Sequence, residues 1–209
     1  MIKSNTTLPF SSASLLYNAA ATWTLLLDFT YEFVYGFKKK LYTVSVSFSP
    51  KEFYHLAGFH YLDDLSLPKY NAKKLLTNIL TGTIKQEQIE KSIHYEALVK
   101  PRLIALSSLK TILDSAFAFY SFKPQMCPFH TSLKADYLIA GHLEDTHYIF
   151  LIKENQAGII SDCICSSTFI KEDRDYETNQ RSYTLLKKSR TIISENITEV
   201  IYIKDGFSN

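Results

Sequence analysis

Residues 136–153 decide the fold: Asp136-Tyr137-Leu138-Ile139-Ala140-Gly141-His142-Leu143-Glu144-Asp145-Thr146-His147-Tyr148-Ile149-Phe150-Leu151-Ile152-Lys153. Two apolar runs flank the short turn at Leu143-Glu144-Asp145. In the second run Tyr148, Phe150 and Ile152 alternate with Ile149, Leu151 and Lys153. Both alternate sets are largely apolar, which marks a central strand covered on both faces. The spacing predicts strands over 136–142 and 146–153, joined as a hairpin. Downstream, 158–165, 182–189 and 198–203 also read as strands. Asn155-Gln156-Ala157-Gly158 and Glu195-Asn196 supply turn residues. A charged loop, 171–181, separates two of them. Upstream, 117–122 reads as the first strand of this half.

The first half follows a different period. Leu15, Leu16, Ala19, Ala20, Trp23, Leu26 and Leu27 recur at helical spacing, and Ser11 and Ser12 offer N-caps. Tyr31, Phe33 and Tyr35 then alternate up to a turn at Lys38-Lys39-Lys40, and 41–48 alternate back, which predicts a β-hairpin. Such a lysine turn is ordinarily solvated; a grip on phosphate is the alternative. Ser49-Pro50-Lys51-Glu52 carries three agreeing helix-start signals. Further helices are predicted from Asn71 to near Gly82, over 85–92 and over 101–115. No composition shift marks a linker. The expectation is therefore one α+β domain over 1–209. Its N-terminal helix and hairpin precede a helical layer packed on a C-terminal antiparallel sheet.

Composition narrows the function. The chain has 209 residues, 46% hydrophobic and 21% charged, with only 6 Gly and 6 Pro, which is a globular composition. The formal net charge is only +2, so any nucleic-acid contact must come from a local patch. Cys127, Cys163 and Cys165 make no disulfide framework and no zinc pattern. The apolar stretch 15–27 is interrupted by Asn18, Thr22 and Thr24, so neither a signal peptide nor a membrane span is expected, and the cytoplasm is. Scattered glycines exclude a phosphate-cradling loop.

The segment Phe53-Tyr54-His55-Leu56-Ala57-Gly58-Phe59-His60-Tyr61-Leu62 is the informative one. Imidazoles suit acid–base work at neutral pH. On one continuous helix His55 and His60 would stand about 140° apart. They could share one metal only if Gly58 broke it. A buried amphipathic helix with hydrogen-bonded histidines is the structural alternative. His142 and His147 flank the 143–145 turn and allow a cross-strand pair. His55 lies off the apolar stripe of Phe53, Leu56 and Ala57, whereas His60 lies on it.

Order and spacing along the chain carry a resemblance. Its marks are Leu26-Leu27, Tyr31-Glu32-Phe33-Val34, the Lys38–Lys40 turn, a strand ending at Phe48, and Phe53-x-His55-Leu56-x-Gly58-Phe59-His60-x-Leu62. They continue with 73–79 leading to Gly82 and Ile84, Arg102 opening a Leu-rich helix, and Ala135-Asp136-Tyr137-Leu138. Ser167-Thr168-Phe169 and Asp175-Tyr176-x-x-x-Gln180-x-x-Tyr183 complete it. The chain resembles the phage-associated Barnase–EndoU–Colicin–RelE-like nucleases, in particular their fourth subgroup. The resemblance implies helices followed by an antiparallel sheet, and action on RNA in a phage, mobile-element or toxin setting. It implies His55 and His60 as base and acid, with Thr168 and Tyr176 beside them in catalysis. Arg102, Lys153, Gln180 and Tyr183 would bind substrate. No metal and no cofactor are expected; a protein inhibitor or antitoxin is a possible partner. The competing expectation is a non-catalytic RNA- or protein-binding module of a defence or toxin–antitoxin system.

Overall fold

The computed structural model describes residues 13–67 and 71–208. The strands are β1 (Phe29–Phe37), β2 (Lys40–Ser47), β3 (Phe117–Ser121), β4 (Tyr137–His142), β5 (Thr146–Ala157), β6 (Ile160–Ile170), β7 (Arg181–Ile192) and β8 (Ile197–Ile203). They pair in the order β1-β2-β6-β5-β4-β3-β7-β8, and β1 also pairs with β7. Seven strands therefore close on themselves, and β8 hangs on β7 outside the ring. The β2–β6 pair is parallel, with Val46 opposite Cys163. The neighbouring pairs are antiparallel.

This corrects the expected helical layer on an antiparallel sheet. The fold is a closed, mixed, seven-stranded β-barrel. The hairpin 29–47 is part of its wall: β1 binds β7 from Phe29↔Ile192 to Gly36↔Thr184. The physical reason is that an apolar strand face can be covered by the far wall of a barrel as well as by helices. Phe33 packs on Phe119 at 6.1 Å and Tyr35 on Tyr183 at 4.5 Å between ring centroids.

The helices are α1 (Leu15–Leu26), α2 (Pro50–Leu56), α3 (Ala72–Leu80), α4 (Gln86–Ile89) and α5 (Lys100–Asp114). The Ser14 side chain caps α1 by accepting from Tyr17 N; Ser11 and Ser12 lie outside the described residues. Asn71 caps α3 in the same way. At the start of α2 the Glu52 carboxylate accepts from Ser49 N at 2.9 Å and Ser49 Oγ at 2.8 Å. Helix α5 leads into β3 and plugs that end of the barrel. A Cβ on Gly141 of β4 would fall 2.6 Å from Ile112 Cγ2, so only glycine admits the helix there. Leu106, Leu109, Ile112 and Leu113 join Ile139, Ile149 and Leu151 in one core.

A second cluster lies on the outer face of the wall. It comprises Phe122, Leu138, Ala140, Tyr148, Phe150 and Tyr176. It explains why β5 is apolar on both sides: the segments after β3 and β6 fold over its outer face.

Candidate active site

Gly58 sets the geometry of the histidines. Helix α2 stops at Leu56, and Gly58 takes φ 79°, a left-handed conformation that a side chain would strain. The chain re-enters as a 3₁₀ turn, Phe59–Tyr61. The continuous helix over 50–62 is thus broken where the sequence allowed. The break brings His55 and His60 into a stack, with ring centroids 4.6 Å apart and planes 19° off parallel. His60 also lies 3.9 Å from the Tyr61 ring. Arg102 Nη2 donates to the Tyr61 hydroxyl at 3.3 Å, and its guanidinium covers that ring. Gly58 also lets α5 approach, since a Cβ there would meet Arg102 Cδ at 2.9 Å.

Two imidazoles, a phenol and a guanidinium therefore share one small area. His55 is exposed and His60 is partly buried. Burial holds the His60 pKa below the usual imidazole value, and the neighbouring His55 and Arg102 push the same way. His60 Nδ1 is buried and, among the described residues, has no hydrogen-bond partner. A groove of about 600 Å³ runs beside it, lined by Tyr54, Phe59, Leu62, Asp63 and Leu75. Tyr61 escaped the sequence reading. Its signal was its place in the turn that Gly58 opens, next to His60.

The remaining candidates fall elsewhere. Thr168 is fully buried; it donates to Tyr148 O at 3.1 Å and lies 2.8 Å from His147 Nε2. Tyr176 packs among Phe122, Phe129, Tyr148, Phe150 and Phe169 in the outer cluster. The Gln180 side chain is occupied by one backbone, accepting from Lys123 N at 2.8 Å and donating to Lys123 O at 3.2 Å. Lys153 and Tyr183 meet through two other tyrosines. Lys153 Nζ covers the Tyr137 ring, the Tyr137 and Tyr35 hydroxyls lie 3.2 Å apart, and Tyr183 stacks on Tyr35. The structure thus unites His55, His60 and Arg102, and separately unites Lys153 and Tyr183.

His142 and His147 do not pair. His142 stands opposite Thr146, and His147 opposite Gly141, so their side chains alternate to opposite faces. His142 Nε2 lies 3.3 Å from Glu177, which also accepts from Tyr120 at 2.7 Å. Burial pushes the Cys163 and Cys165 thiols up to about 12, so both stay protonated. One group could offer three ligand atoms to a metal: Asp63, Asp64 and His94, all within 4.8 Å of one another. Asp64 is already engaged, accepting from Ser92 Oγ and Ile93 N. No helix among the described residues is long and apolar enough to cross a membrane.

Imidazoles beside a fixed cation are groups that phosphodiester chemistry uses, which is the property of a nuclease. The chain belongs to the phage-Barnase-EndoU-ColicinE5/D-RelE like nuclease 4 family, whose family model matches residues 15–205. No curated protein and no solved structure matches it significantly.

Proposed function

We propose that the protein is a metal-independent endoribonuclease whose acid–base pair is His55 and His60. The observation that carries this is the 4.6 Å stack of the two rings beside Arg102. A neutral imidazole can accept a proton, and the depressed pKa of His60 keeps it neutral. In this reading His60 takes the proton of the RNA 2′-hydroxyl. The 2′-oxygen then attacks phosphorus, forming a 2′,3′-cyclic phosphate. The bond to the 5′-oxygen breaks, and His55 at the rim protonates that leaving oxygen. Arg102 stabilises the added charge on the phosphorane oxygens. The phage or toxin setting, and an antitoxin or inhibitor as partner, belong to the same reading. Thr168 and Tyr176 then act from a distance, as supports of the barrel wall.

The test is cleavage of a labelled RNA in the presence of a chelator, with the cyclic phosphate as product. His55→Ala should lower turnover by on the order of a hundredfold or more, with little change in melting. His60→Ala should cost stability as well, because the ring is partly buried. A His55 variant that cleaves at the wild-type rate ends the acid–base assignment and leaves the binding module. Activity lost to chelator and restored by a divalent ion would move the chemistry to Asp63, Asp64 and His94.

A further inference from the structure

The barrel end away from α5 is built differently from the rest of the molecule. Strand pairing places the tip of the β1–β2 hairpin beside the start of β7, which lies beside the end of β3. Three tyrosines stack across this mouth: Tyr42 on Tyr35 at 5.5 Å, and Tyr35 on Tyr183 at 4.5 Å. Phe37 meets Tyr183 edge-on at 5.5 Å. Tyr35 is buried, while Phe37, Tyr42 and Tyr183 are only partly covered. The rings therefore form a layered aromatic floor that solvent reaches.

Cations surround that floor on one side. Lys38 Nζ and the Arg181 guanidinium both lie 5.3 Å from the Phe37 ring centre. Lys38 and Lys39 hold left-handed turn conformations, φ 49° and 62°, and with Lys40 they are exposed at the hairpin tip. A polar groove of about 520 Å³ continues from Arg181 past Ser121, Ser182 and Lys123. Segments 35–42, 117–125 and 180–188 contain no Asp or Glu. The acids Asp136, Glu154 and Asp162 stand on or beside the other strands, β4 to β6. A chain of net charge +2 thus concentrates positive charge on one arc of one barrel end.

Aromatic faces take unpaired bases because every base has a π-face, and flanking cations take the phosphates. A duplex offers its bases no such access. We propose that the barrel mouth formed by Phe37, Tyr42, Tyr183, Arg181 and the Lys38–Lys40 tip is a platform for single-stranded RNA. This rests on RNA being the substrate, as proposed above. It assigns the grip to a surface distinct from the histidine stack.

The experiment measures binding apart from cleavage. The probe is a labelled single-stranded oligonucleotide with 2′-O-methyl sugars, which lacks the attacking hydroxyl. The full-length protein is titrated by fluorescence anisotropy over a salt series, beside a duplex of the same length. Single strand should bind more tightly than duplex. Tyr42→Ala should weaken binding at least about fivefold, the loss of one stacked base. Lys38, Lys39 and Lys40 changed together to Gln should lower the salt slope by roughly one per lost phosphate contact. The Lys38–Lys40 tip is exposed, whereas Tyr42 packs on the buried Tyr35, so circular dichroism and thermal melting check that each variant keeps its fold. Wild-type affinity in both variants, or equal binding of duplex and single strand, overturns the platform. Loss of binding in these variants supports it even where His55→Ala leaves cleavage unchanged, an outcome that would sink the catalytic assignment alone.

Discussion

The ring of His147 and the hydroxyl of Thr168 share a hydrogen bond of 2.8 Å inside the barrel wall. Because Thr168 donates to the Tyr148 carbonyl, it accepts from His147, so Nε2 carries the proton. Burial pulls the His147 pKa from 6.5 down to about 4. The unfolded chain therefore binds more protons between those values, and folding stability falls as pH drops from 6.5 towards 4. Urea unfolding across that window should show the loss, up to roughly 3 kcal/mol. His147→Gln should flatten it. Thr168→Val should cost about 1–3 kcal/mol at neutral pH by leaving the imidazole N–H unpaired.

Lys188 sets a second window with the same sign. Its ammonium is buried and donates to the Leu113 and Ser115 carbonyls at the end of α5. Burial lowers its pKa from 10.5 to about 8, against an opposing pull from Asp114. Between those values the unfolded chain holds the extra proton, so this group adds stability as pH rises from about 8 towards 10.5. Comparing wild type with Lys188→Met, below the range in which tyrosines ionise, isolates the effect. The difference between the two should grow with pH in favour of the wild type.

Gly58→Ala tests the break in α2. The new methyl would press on Arg102 Cδ at 2.9 Å and Leu98 O at 3.2 Å, at a backbone φ of 79°. We expect a stability loss of about 1–2 kcal/mol and a displaced guanidinium. Thermal melting reads the first. The NMR shift of the Arg102 Nε–H reads the second, and an unmoved signal would show that α5 yields instead.

Asp114 ties the end of α5 to β1 and β7. It accepts from the Tyr31 hydroxyl at 2.8 Å and from Arg190 Nη1 at 2.8 Å. Arg190 keeps Glu199 as a second partner at 2.6 Å. Asp114→Ala should cost about 2–4 kcal/mol, through the unpaired groups it leaves. A double-mutant cycle with Tyr31→Phe should show coupling, since the two share one bond.

The elements were legible in the sequence, and their closure was not. The alternation of 146–153 marked β5, 198–203 read as a strand where β8 lies, and Ser49-Pro50 and Asn71 marked the starts of α2 and α3. Those signals are local. The β1–β7 pairing joins Phe33 to Lys188, and the β2–β6 pairing joins Val46 to Cys163. Neither leaves a trace in periodicity, because a strand face looks equally apolar under a helix or under the opposite wall. The same limit applies to the site. His55 and Gly58 could be picked out, but the stacked geometry depends on a φ value that a glycine permits without requiring. Thr168 and Gln180 look like functional donors in sequence. Their bonds to His147 and Lys123 appear only when distant segments meet.

Closure between β1 and β7 also bears on when the molecule becomes itself. The ring needs Phe29–Phe37 near the start and Arg181–Ile192 near the end. During synthesis the early segments leave the ribosome long before β7 exists, so β1 waits with an unsatisfied edge. Loop closure over so long a chain is slow relative to local helix formation. The helices carrying His55, His60 and Arg102 can form early, but the tyrosine stack at the mouth needs Tyr183 and is assembled last. A nascent chain would thus hold the segments of its histidine stack before its aromatic mouth closes. That order leaves the barrel mouth as the part of the ring that waits longest for its partner strand.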